Sequence, residues 1–60
     1  MNKGALITFK IAEKVRYDII HKFLSDEELE ECIKKGFFKK TEDDEYIFTQ
    51  AGYDFAWSKN

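Results

Sequence analysis

The chain has 60 residues and a formal net charge of -2, so it makes one small domain, burying only about 60% of the surface that its unfolded form exposes. Its single cysteine, Cys32, excludes an internal disulfide and a cysteine-based zinc site. No stretch reaches the roughly 20 apolar residues of a membrane-spanning helix, and MNKGALITFKIAEK lacks the apolar run and cleavage site of a secretory leader, so a soluble, cytoplasmic chain is expected.

In chain order, ALITFKI alternates in part, with Ile7, Phe9 and Ile11 on one side and Thr8 and Lys10 on the other. That pattern suits a short strand or the opening of the following helix. From Ala12 to Leu24, Val15, Ile19, Ile20, Phe23 and Leu24 recur at three- and four-residue intervals and predict one amphipathic helix. Ser25 then caps a second helix that begins at Asp26, with Glu28 completing a capping box and the acids of the first turn opposing the helix dipole. This helix is expected to bury Leu29, Cys32 and Ile33, to carry Lys34 and Lys35 at its negative end, and to stop at Gly36 in a left-handed cap.

FFKKT and EYIFT follow as two short strands around EDD and predict a hairpin, with Phe38 and Lys40 on one face, Phe37 and Lys39 on the other, and Tyr46 paired with Phe48. Thr49 is placed to cap a last short helix, QAGYDFAW. Gly52 within it costs about 1 kcal/mol of helix propensity against alanine and predicts a close neighbour, either the hairpin or the first helix. The expected fold class is α+β, a helix–helix–hairpin–short helix plan in one domain, with or without a short N-terminal strand. Phe9, Phe23, Phe37, Phe38, Phe48, Phe55 and Trp57 are expected to fill its core.

Read together, GFF, the basic strand, the polar tip, YIFTQAG and the terminal helix resemble the back half of winged helix-turn-helix domains of bacterial and phage regulators, over Ser25 to Trp57. The resemblance implies that Asp26–Lys35 corresponds to the recognition helix and Thr41–Glu45 to the tip of the wing. The family places two helices ahead of the recognition helix, whereas this sequence predicts one.

The charge is placed unlike that of a groove reader. Residues 1–25 hold five Lys/Arg against two acids, and residues 26–60 hold five Lys against ten Asp/Glu. With Leu29, Cys32 and Ile33 inward, Glu27, Glu28, Glu30 and Glu31 point outward, and the tip is Glu42, Asp43, Asp44 and Glu45. Phosphate binding rests on Lys and Arg releasing counterions, so these carboxylates disfavour DNA and favour a partner protein with a basic surface. The candidate protein-binding residues are Glu27, Glu30, Glu31, Asp43, Asp44 and Trp57, the last also a candidate contact in a homodimer. The nucleic-acid alternative uses Lys14, Arg16, Lys34, Lys35, Lys39 and Lys40.

Plainer roles compete with these. Acids in a first turn serve the helix dipole, and a charged hairpin tip discourages edge-to-edge association. The tip lacks the alternating spacing and glycine of a calcium loop. His21, near Asp18 and Tyr17, has no nucleophile or second ligand beside it, and Cys32 lies on the apolar stripe. No glycine-rich phosphate loop, metal motif or catalytic dyad is present, so no cofactor is expected. The function expected is binding without chemistry, as in an accessory factor such as a phage or mobile-element inhibitor or adaptor.

Overall fold

The computed structural model describes residues 3–58 and shows an α+β domain of four helices and one three-stranded antiparallel sheet. In chain order these are α1 (Lys3–Leu6), β1 (Lys14–Arg16), α2 (Tyr17–Ile20), α3 (Asp26–Lys34), β2 (Phe38–Lys40), β3 (Glu45–Phe48) and α4 (Gln50–Ala56). The sheet order is β1-β3-β2, which leaves β1 and β2 as edges.

The second half folds as its local signals predict. Ser25 Oγ accepts from the Glu28 amide at 3.2 Å while Glu28 Oε1 accepts from the Ser25 amide at 3.0 Å, so the capping box is complete. Gly36 has φ +80°, the left-handed conformation that ends α3. The hairpin turns through Glu42-Asp43-Asp44. Thr41 donates its amide to Glu45 C=O at 2.8 Å, and Asp44 takes φ +59°, the left-handed residue that a three-residue hairpin loop requires. Thr49 Oγ1 accepts from the Gly52 amide at 3.2 Å and caps α4. The close neighbour of Gly52 is the hairpin segment, through Phe37 and Phe48.

The first half differs from the sequence reading. Residues 5–11 form no strand: Ala5 and Leu6 close α1, the chain turns, and Phe9 alone of the alternating set enters the core. The single helix expected over Ala12–Leu24 is instead β1, α2 and a turn. Ala12 sits at φ +62°, off the helical conformation, and donates its amide to Phe48 C=O at 2.8 Å. Val15 then pairs with Tyr46 in the sheet. The physical cause is β3: with β2 on only one side, its other row of backbone groups needs partners, and β1 supplies them. Two short helices therefore precede α3, where the sequence predicted one.

The core lies between the helices and one face of the sheet. Phe38 and Phe48 oppose each other in register, both point inward, and their rings meet Phe9 at 5.3 and 5.8 Å. Leu6, Ile20, Leu24, Leu29 and Cys32 close around them. Phe37 is also buried rather than on the outer face, because the turn at Gly36 carries it inward to stack on Phe55 at 4.7 Å. Four residues expected to face inward are exposed instead: Ile19 (40%), Phe23 (45%), Ile33 (39%) and Trp57 (56%).

Candidate functional site

Among the candidate protein-binding residues, Glu27, Glu30 and Glu31 lie exposed on α3, and Asp43 and Asp44 lie exposed at the hairpin turn. Each is placed by a local device already described, the capping box for α3 and the Thr41 turn for the hairpin. Glu31 pairs with Lys35 at 3.3 Å and Asp44 with Lys40 at 3.5 Å, so two acids of one reading are partly neutralised by two cations of the other. Such exposed pairs contribute about 0–1 kcal/mol each. Glu27, Glu30 and Asp43 carry no ion pair among the described residues. Trp57 caps α4 and tilts against Tyr53, with ring centroids 6.0 Å apart.

No acid of α3 lines the groove at the hairpin acids. Asp43, Asp44 and Glu45 face Arg16, Tyr17 and Asp18 across an open groove of about 500 Å³, and Arg16 is held there by Asp18 at 3.6 Å. No group of three or more His, Cys, Asp or Glu among the described residues is placed to hold a metal ion. Among the basic candidates, the sheet register sets Lys14 and Lys39 on either side of Ile47 in one row, so they share a face. Lys34 and Lys35 sit apart, at the end of α3.

Sequence reasoning missed two features. The first is a clamp between α2 and α3: Tyr17 donates its hydroxyl to Asp26 Oδ1, His21 Nδ1 approaches the same oxygen at 3.6 Å, and the two rings stack at 5.5 Å. The bond to the Asp26 carboxylate favours the protonated phenol and, with desolvation and the Asp26 charge adding to it, pushes Tyr17 above its ordinary range. The second is a groove of about 380 Å³ along β1, in which Phe9, Val15, Ile19 and Phe23 form an apolar wall and Glu13, Lys14, Arg16 and Glu45 supply charge of both signs. Its signal was present in the doublets Ile19-Ile20 and Phe23-Leu24, since adjacent side chains point in different directions and only Ile20 and Leu24 enter the core.

No family model, curated protein or solved structure matches this chain. No helix among the described residues is long and apolar enough to cross a membrane.

Cys32 is fully buried, and burial, reinforced by Glu31 and Glu28, pushes its thiol up to about 11. Because the folded value lies above the ordinary unfolded value of about 8.5, the thiol contributes stability that is fully present below pH ~8.5 and lost as pH rises towards 11. Iodoacetamide at pH 8 is expected to leave the native protein unmodified over a time in which urea-unfolded protein reacts fully. Rapid native alkylation, read by intact mass, would place Cys32 outside the core.

Proposed function

We propose that the chain is a small non-enzymatic interaction module, winged-helix-like in plan, that binds a partner protein with a basic surface. Glu27, Glu30 and Glu31 of α3 and Asp43 and Asp44 of the hairpin supply the charge, and Trp57 an apolar anchor. The observation that carries this reading is the outward face of α3, where Glu27 and Glu30 stand exposed, with no ion pair among the described residues, in the position that the resemblance gives to DNA contacts. Carboxylates there repel a phosphate backbone and attract lysine and arginine. The winged-helix plan is supported by the element order, with two helices ahead of α3, a hairpin behind it and β1 added to the sheet. A module of this kind acts by blocking or recruiting its partner, as an inhibitor or adaptor does.

The same placement of Lys14 and Lys39 around Ile47 favours a second reading, a DNA-binding regulator that uses the sheet face and wing base.

One experiment separates the two. Tagged protein and an E30K/E31K variant are used to capture partners from lysate, with eluates analysed by mass spectrometry and for nucleic acid. The expected result is a protein partner retained by the native chain and lost by the variant, whose thermal unfolding is unchanged. Recovery of nucleic acid alone, eluting steeply between low and moderate salt and weakened by K39A/K40A, overturns the acidic-face reading and installs the second.

A further inference from the structure

We propose that the open edge of β1 is a docking site for an extended segment of a partner protein in which apolar and acidic residues alternate, added to the sheet as a fourth strand. This surface is separate from the acidic face of α3 and does not depend on that reading.

The backbone is the first argument. β1 is an outer strand of the sheet. On its seam with β3, the Phe48 amide donates to Glu13 C=O at 3.3 Å, and Val15 stands opposite Tyr46. In an antiparallel ladder hydrogen-bonded and non-bonded pairs alternate, so Lys14, lying between those two, turns its N–H and C=O towards the open edge. A donor and acceptor presented in this way are the template on which an added strand forms.

Side chains supply the second argument. The edge runs along the groove walled by Val15, Ile19 and Phe23, and Ile19 and Phe23 are 40% and 45% exposed within it. Large apolar side chains left open beside a strand edge mark a contact surface. Side chains of an added strand alternate between faces, so every second one falls against this wall and must be apolar.

Charge selects the rest. The intervening side chains of the added strand stand directly opposite the outward residues of β1, which are Lys14 and Arg16. Opposite charges in that position stabilise and like charges destabilise, so acidic residues fit best, above all opposite Lys14, whose neighbour on β3 is the uncharged Ile47, whereas Arg16 already faces Glu45. The same rule excludes a second copy of the chain, because pairing β1 with itself about Val15 sets Lys14 of one copy against Arg16 of the other. Lys14 and Arg16 also line the groove, but Phe9, Val15, Ile19 and Phe23 offer burial only to apolar side chains, which makes a peptide the better fit than nucleic acid.

The test uses the full chain labelled with ¹⁵N and three probes: a synthetic octapeptide alternating valine and glutamate, its valine–lysine counterpart, and a short DNA duplex. The expected result is saturable amide shifts centred on Lys14–Arg16, Ile19 and Phe23 with the valine–glutamate peptide only. K14E/R16E is expected to bind that peptide about tenfold more weakly and to gain affinity for the lysine peptide. The milder K14Q/R16Q reads the same loss without reversing charge, and E30K/E31K leaves the binding unchanged. The proposal is overturned if the valine–glutamate peptide produces no saturable shift at Lys14, or binds K14Q/R16Q as well as native protein. It is equally overturned if duplex shifts these amides and the peptide does not, or if they shift with protein concentration alone, which would mark self-association.

Discussion

Phe48→Ala is expected to leave the domain largely unfolded at 25 °C. Phe48 is fully buried at the end of β3, opposes Phe38 in register, and its ring lies 5.2 Å from that of Phe38 and 5.8 Å from that of Phe9. Truncating a buried phenylalanine costs about 3–5 kcal/mol, because the lost burial is joined by a cavity that the neighbours cannot close. A domain of this length has a total stability of about 3–9 kcal/mol, with small chains towards the lower end. The cost therefore matches most of what is available. Far-UV circular dichroism and the dispersion of amide resonances measure the result. Phe23→Ala is the control: its ring is half exposed, and its loss is expected to leave the cooperative transition in place. A sharp transition in Phe48→Ala close to that of the native chain would show that the aromatic cluster is not the core.

Gly52→Ala is expected to destabilise the protein, although helix propensity alone favours alanine by about 1 kcal/mol. A Cβ at this position would fall 2.6 Å from Phe48 Cε1, 2.8 Å from the Phe37 carbonyl oxygen and 3.1 Å from Phe37 Cβ. Neither neighbour is free to retreat. The Phe48 ring is enclosed by Phe9 and Phe38, and the Phe37 carbonyl accepts the Thr49 amide at 2.9 Å, which fixes the start of α4. Overpacking of this kind costs about 1–3 kcal/mol, so α4 must lift from the hairpin. At roughly 4–8 °C of melting temperature per kcal/mol in a domain of this size, the drop is readily seen in a thermal melt. A rise in melting temperature would mean that α4 does not pack as described.

The contrast between the two halves of the molecule shows what one sequence can carry. Ser25 with Glu28, Gly36, the EDD turn and Thr49 each act on residues within a few positions of themselves, so their consequences are readable in place. The segment from Ala12 to Leu24 is different. Val15, Ile20 and Leu24 enter the core, a spacing close enough to helical that a single helix accounts for it, yet the outcome is set by β3, which needs a partner along its second side. That partner lies far away in sequence, and no local pattern announces it. The acidic character of α3 was legible for the same local reason as its cap, since glutamates outside the apolar stripe face solvent. The groove along β1 was not, because its wall joins Phe9 from the turn after α1, Val15 from the strand and Phe23 from the turn after α2.

The first and last helices of the described residues also pack together. Near the start of the chain, Lys3 Nζ donates to Ser58 Oγ at 2.6 Å and lies over the Phe55 ring, and α1 packs against α4. Vectorial synthesis therefore delivers α1 and β1 long before α4 and β3, the elements they rest on, have left the ribosome. Leu6 and Phe9, both buried, are covered in part by elements that follow them by some thirty or more residues. Loss of either helix is therefore expected to uncover the other, so that α1 and α4 exchange their amide protons together.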